Sequence, residues 1–380
     1  MSSALQARLT RLGLLLAAPA LALLLAYAVT TLVLEIAGDP AGDVWDQILS
    51  WPEPCNLVNI INAGSVSYLS GIAVAIGFRM NLFHIGVDGQ YRIAAFVAAV
   101  VAGEAWLPGY LNTAFAIVAA MAVGALWAGI AGLLRVTRGV SEVISTIMLN
   151  AVSTGLVAYL LRKLAVREEG SNDIGTREIP SDSWIGGFPL PGASNEVYGF
   201  VIIAAVVGIA YSVVINRTRF GFDLRATGQS ETAAVASGVD VKRMIVISML
   251  LSGAVAGLVG LPILFGDAYT YGVTFQSGLG FAGIAIALLG RNNAIGIVLG
   301  ALLFAFLEEQ ANPLQIVVGV SPQIVDIMQG VIVLAVVIVY EVVARFGSRL
   351  EQRQAGRDLG TGGDAGAGRG GPGDKEVART

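Results

Sequence analysis

The sequence is short of most of what soluble catalysis or nucleic-acid binding uses. It has one histidine and one cysteine, Cys55, among 380 residues. A lone cysteine excludes an internal disulfide framework, and without Cys/His spacing no metal or cofactor is expected. There is no Gly-x-x-x-x-Gly-Lys phosphate loop, so the chain does not hold ATP by that device, and no catalytic constellation is found. Charged residues make up only 13%, and a net charge of −4 without a basic patch excludes nucleic acid as a partner.

What is present is apolar: 55% of residues are hydrophobic and the mean hydropathy is +0.74. One or two soluble cores cannot hide that much apolar surface, so the solvent is a lipid bilayer. Apolar runs of about 20 residues recur, the length a helix needs to cross hydrocarbon. Short alternating segments, the mark of an outer-membrane barrel, are absent. The expected fold is therefore an all-α polytopic membrane protein of about ten spans, at 12–36, 57–78, 82–103, 111–134, 141–161, 198–216, 244–265, 274–290, 294–310 and 323–343. The segment 274–290 also reads as a half-helix preceded by irregular backbone buried in protein. The run Leu12 to Ile36 is too long for a signal-peptide core and lacks a small-residue cleavage site, so it is expected to be retained as the first span.

Lys and Arg positions orient these spans. The loops 37–56, 104–110, 266–273 and 311–322 contain neither residue, whereas the alternate connections hold Arg79, Arg135, Arg138, Arg217 to Arg243, Arg291 and Arg345. That asymmetry places both termini in the cytoplasm of a multi-pass plasma (inner) membrane protein. The long loop 162–197, with four basic and six acidic residues, is then an outside excursion. A membrane domain is expected over 1–346, with a cytoplasmic region at 217–243. The glycine-rich end, 347–380, reads as a disordered cytoplasmic tail.

Two segments resemble each other: "GIAVAIGFRMN" at Gly71 to Asn81 and "GIAIALLGRNN" at Gly283 to Asn293. A parallel repeat, as in transporters, and shared composition both account for this. Gly253 with Gly257, and Gly296 with Gly300, lie four apart and so form small faces where helix backbones can approach closely.

Polar residues inside spans need a partner or a wet path. Three sets stand out: Asn59, Asn62 and Ser65; His84, Asp88 and Gln90; and Thr146 with Asn150, in a stretch that also holds Glu142. Spacings of three and four put Asn59, Asn62 and Ser65 on one face, and Thr146 and Asn150 on another. Each is a candidate for an uncharged path suited to a polar, neutral solute. Each is also a candidate for an ordinary interhelical hydrogen bond.

One polar stretch, "RATGQSETAAVASGVDVKR", interrupts the apolar sequence. Ser230 suits an N-cap, Glu231 suits the positive end of a helix, Gly238 suits a C-terminal cap, and Asp240 suits the cap of the next helix. The result is a short, alanine-faced helix followed by a sharp turn into a span. It fits either a docking helix for another protein or an amphipathic helix at the lipid surface, although no Trp, Phe or Leu is present to bury in lipid.

"ETAAVASG" resembles the Glu-Ala-Ala…Gly loop of ABC-importer permease subunits. "GFDLRATGQSETAAVASGVDVKRMIVISMLLSGAVAGLVG" looks like the ribose and branched-chain amino acid type of permease. "HIGVDGQYRIAA", "SEVISTIMLN" and "GFAGIAIALLGRNNAIGIVLGALLF" are similar to motifs of the nucleoside and simple-sugar permeases. The similarity covers most of 55–345. It implies that Glu231, Ala233, Ala234 and Gly238 form a coupling helix that docks on a cytoplasmic ATPase. His84 departs from the family pattern, which has Asn there, and Asp88 stands in place of Glu. The implied function is import of nucleosides, or simple sugars, as the membrane-spanning permease. The implied partners are an ABC ATPase subunit, a related but different second permease and an extracytoplasmic solute-binding lipoprotein. The chain itself is then not an enzyme. The alternative from another class is an ion-gradient-driven secondary transporter, with Asp88, Glu142, Glu308 and Glu309 as the titratable candidates.

Overall fold

The computed structural model describes residues 21 to 339, apart from 22 and 168–173, together with 342. In chain order the helices are α1 (Leu23–Ala37), α2 (Ala41–Ile48), α3 (Pro54–Arg79), α4 (Val87–Gly103), α5 (Gly109–Arg138), α6 (Glu142–Leu164), α7 (Phe200–Arg217), α8 (Arg219–Gln229), α9 (Glu231–Ala236), α10 (Val241–Ala256), α11 (Leu261–Ile263), α12 (Leu279–Leu289), α13 (Ala294–Ala311), α14 (Leu314–Val317) and α15 (Ile324–Val339). Between α6 and α7 lie two small antiparallel pairs, β1 (Val166–Arg167) with β2 (Ile174–Gly175), and β3 (Phe188–Pro189) with β4 (Glu196–Val197). Residues 33–333 form one compact unit, and the site described below lies wholly within it.

Among the described residues, six stretches are long and apolar enough to cross a membrane: α3, α5, α6, α7, the run Val241–Ala268 and the run Ala294–Val317. Of the about ten spans expected, these six reach full length among the described residues, and the others are shorter apolar helices. Segment 82–103 loses its first five residues to a turn and leaves the 17-residue α4. Segment 274–290 keeps 11 helical residues in α12, behind Gly278 at φ +87°, a left-handed conformation that ends regular backbone. Helix α15 accounts for most of 323–343, and α1 for the described part of 12–36. The expected tail, 347–380, lies outside the described residues.

Helix α3 organises the unit. Pro54 starts it where a missing N–H costs nothing. Beyond its asparagine-bearing first turns and up to Arg79 its residues are mostly apolar or small, and 17 of 26 are buried, as befits a helix in the middle of a bundle. It packs against α7, α10, α12 and α13. By contrast, only 28% or less of the apolar stretch of α5, α6 or α7 is buried, which leaves apolar faces suited to lipid. Helices α5 and α10 meet through the small face expected around Gly253 and Gly257. A methyl on Gly253 would strike the Gly124 carbonyl, and one on Gly257 would strike the Ala120 carbonyl.

Helices α4 and α12 both start inside the bundle. After α3 ends, Asn81 turns left-handed (φ 56°) and the chain climbs back along the helix. Ser70 Oγ donates to Leu279 O at 2.7 Å, and Asp88 Oδ1 accepts from Gly278 N at 3.1 Å, so the two heads meet level with Ser70. That level is about 14 Å before Arg79 at 1.5 Å per residue. From this joint α4 runs to the β-strand end of the bundle, and α12 runs alongside the end of α3 to Asn292, whose carbonyl takes Arg79 Nε at 3.0 Å. The two similar segments therefore pack against each other, and each turns left-handed near its end, at Asn81 in one and at Arg291 and Asn292 in the other.

Candidate functional site

The 30-residue α5 ties two ends of the molecule about 45 Å apart. At its start, Gly109 N donates to Asp182 at 3.1 Å and Thr113 Oγ1 to Ser183 O at 2.6 Å, fixing the loop between α6 and α7. In the same loop Trp184 stacks on Tyr269 with ring centroids 3.7 Å apart. At the other end of α5, Arg135 faces Glu231 of α9. The long loop and α9 therefore lie at opposite ends of the bundle.

Every expected cap around α9 is formed. Ser230 Oγ accepts from Ala233 N at 3.3 Å, and Asp240 Oδ1 accepts from Arg243 N at 3.1 Å. The helix closes with Val239 N on Ala234 O and Gly238 N on Val235 O, the paired bonds of a Schellman motif, with Gly238 at φ +83°. Thr218 caps α8 in the same way, accepting from Gly221 N at 3.1 Å. Only Ala234 of α9 is buried; Glu231, Ala233 and Gly238 are exposed, and a Cβ on Gly238 would meet no described atom within 4 Å. Beside α9 opens a cavity of about 870 Å3, lined by Arg135, Glu231, Val235, Asp240 and Lys242 among others.

The second and third polar sets come together where the chain turns from α3 into α4. Glu142, Thr146 and Asn150 stand at i, i+4 and i+8 on one face of α6 and serve the backbone of that turn. Glu142 Oε1 accepts from Phe83 N at 3.3 Å, Thr146 Oγ1 from Ile85 N at 3.3 Å, and Asn150 Oδ1 from Gly89 N at 2.9 Å. Asn150 Nδ2 also donates to Ile85 O at 2.8 Å. These groups substitute for the bonds that a broken helix loses inside a bundle. Asp88 joins Arg92 at 3.1 Å as well as Gly278 N, so a carboxylate sits where two helix N-termini converge. His84 is fully buried; its Nδ1 accepts from Gly86 N at 3.3 Å, which makes Nε2 the protonated nitrogen. Neither His84 Nε2 nor the buried Gln90 Oε1 has a partner among the described residues.

The first set lies elsewhere. Asn59 donates to Glu309 at 2.9 Å and accepts from Asn195 at 2.7 Å. Asn62 accepts from Tyr198 N at 2.8 Å and donates to Glu196 O at 3.0 Å, so both asparagines pin the returning end of the long loop. Ser65 Oγ donates to Asn62 O, within its own helix, at 2.7 Å. Ser65 also lines a cavity of about 590 Å3 between α3, α7 and α13, whose walls are otherwise alkyl apart from Tyr68 and Ser212. Such walls offer a polar solute little to bind.

Two residues that sequence reasoning passed over matter here. Arg135 joins α9 to Glu142, and Tyr91 OH holds the irregular backbone before α12 by donating to Gln276 O at 2.9 Å. For Arg135 the available signal was a basic residue in the last turn of a span, directly before the "SEVISTIMLN" stretch.

The permease family described as branched-chain amino acid transport system / permease component matches residues 56–337. The chain is 32% identical to the guanosine ABC transporter permease protein NupP of Bacillus subtilis, over 85% of this chain and 93% of that one. It is 31% identical to the glucose ABC transporter permease protein TsgB13 of Haloferax volcanii, over 78% and 80% of the two chains. It is 28% identical to the nucleoside ABC transporter permease protein NupB of Lactococcus lactis subsp. cremoris, over 77% and 82%. With a multi-helix membrane fold and a match across most of its length, the chain belongs to the branched-chain amino acid transport system permease family.

Proposed function

We propose that this chain is the membrane-spanning permease subunit of an ATP-binding cassette importer, and that its solutes are nucleosides, with simple sugars second. The observation that carries the reading is α9: a short helix, capped at both ends, with small exposed side chains, at the far end of α5 from the long loop. It is built to be touched by another protein. In this reading Glu231, Ala233, Ala234 and Gly238 dock on a cytoplasmic ATPase, which supplies the hydrolysis that this chain does not. A related second permease completes the path, and a solute-binding lipoprotein delivers solute to the end that carries the long loop. Both termini are cytoplasmic, and α1, α4, α12 and α15 bring the spans to about ten.

The substrate choice follows relatives whose names give guanosine, nucleosides and glucose. No observation favours an ion-driven carrier. Each candidate acid has a partner of its own: Asp88 with Arg92, Glu142 with Arg135, Glu309 with Asn59, and Glu308 with Gln329. Of the polar sets, His84 and Gln90 remain the side chains with unused polar atoms for a solute, whereas Asn59, Asn62, Thr146 and Asn150 are occupied by the fold.

The test is uptake of labelled guanosine, uridine and ribose by cells with and without the gene, with the proton gradient collapsed and ATP maintained. Gene-dependent uptake that survives the uncoupler is expected. Uptake lost on uncoupling, with ATP intact, would move the chain to the ion-driven class.

A further inference from the structure

Arg135 lies in the last turn of α5, and its guanidinium sits between two carboxylates from distant parts of the chain. Its Nη1 pairs with Glu142 Oε2 at the head of α6, and its Nη2 reaches Glu231 Oε1 on α9 at 3.5 Å. The two carboxylates differ in surroundings: the Glu142 side chain is 9% exposed and that of Glu231 57%. A planar fork of N–H donors can serve two acceptors in fixed directions, which an ammonium group does less well.

The buried arm leads inward. Glu142 holds Phe83 N, Thr146 and Asn150 hold Ile85 and Gly89, and Asp88 holds Gly278 N at the head of α12. The exposed arm leads to a helix with little else to bind it, since α9 buries one of its six residues. A surface pair of this exposure adds little to stability. It does, however, connect a loosely packed helix to the place where two helix heads meet.

We propose that Arg135 is a positioning residue that tethers α9 to the turn between α3 and α4, so that movement of α9 is passed to α6, α4 and α12 instead of being absorbed locally. The inference rests on α9 being the coupling helix. The contacts give a route, and whether energy travels along it is what a double-mutant cycle measures.

The experiment uses the assembled importer in proteoliposomes and reads ATP hydrolysed per guanosine carried. Arg135→Met is expected to raise that ratio about tenfold, within the usual range of coupling between sites. Arg135→Lys, which keeps the charge but not the fork, should recover only part of the loss. Because Arg135→Met also strips the buried Glu142 of its counter-ion, Glu231→Ala removes the exposed arm alone and should raise the ratio about fivefold. The double variant Arg135→Met/Glu231→Ala should be no worse than Arg135→Met. Single variants with parental ratios would overturn the tether, as would a double variant whose effect is the product of the two. Gly238→Trp separates the two layers of the argument. Normal uptake by that variant removes the coupling-helix reading itself, whereas uncoupling by Gly238→Trp with parental ratios in the other variants removes only the role of Arg135.

Discussion

Two polar regions of this molecule use similar residues to opposite ends. In the turn between α3 and α4, Glu142, Thr146 and Asn150 spend their polar atoms on the backbone of residues 83–89. In α9, Ser230 caps the start, the Gly238 turn closes the end, and all but Ala234 of the helix between them is left exposed. Apart from His84 Nε2 and Gln90 Oε1, the first region spends its polar groups on its own chain and is therefore mainly structural. The second is complete in itself and still offers surface, the condition of a docking element.

The comparison breaks most visibly through packing. Gly253→Leu drives a side chain into the Gly124 carbonyl, which is backbone and cannot rotate away. It should cost about 3 kcal/mol or more and deplete the protein from membranes; parental abundance and melting temperature would contradict the close contact of α5 with α10.

Asn150→Ala is next. It strips the Gly89 N–H and the Ile85 carbonyl of their partner, at about 1–3 kcal/mol for each group left unpaired. Thermal unfolding of the purified protein should fall accordingly. An unchanged midpoint with lost uptake would instead make Asn150 a solute contact.

Asn62→Ala should cost less, about 1–2 kcal/mol, and act locally, because it frees Glu196 and Tyr198 at the returning end of the long loop. Faster proteolysis between 190 and 198, ahead of global unfolding, is the expected readout. Ser65→Ala should do least: its hydroxyl serves its own helix, so stability should stay within about 0.5 kcal/mol. A large loss of uptake there would restore Ser65 to the path.

What could be read from the sequence was local. Ser230, Gly238 and Asp240 announce caps because the bonds they make span three or four residues, and all formed as expected. The small face of Gly253 and Gly257 needs only the helical period. The half-helix at 279–289 was legible as an option because glycines bracket it. What stayed hidden was partnership across the chain. The i, i+4, i+8 line of Glu142, Thr146 and Asn150 is visible as a face, but that it holds backbone some 60 residues away is a tertiary fact. Asn59 and Asn62 share a face for the reason foreseen, yet that face meets the loop at 195–198. The lengths of the segments 82–103 and 274–290 were overestimated where the chain re-enters the bundle, because hydropathy does not separate an apolar half-helix from a full one.

The most direct test of α9 as the element that meets the ATPase is transport by Gly238→Trp, with Gly238→Asn as its backbone control. No described atom lies within 4 Å of a Cβ added there, and since φ +83° strains any side chain, the asparagine variant separates that backbone cost from the bulk of the ring. Asparagine tolerates the left-handed turn at little cost. The account predicts that Gly238→Trp reaches the membrane at parental abundance but carries about tenfold less guanosine per ATP hydrolysed, while Gly238→Asn stays near the parent. Parental transport by Gly238→Trp would contradict it.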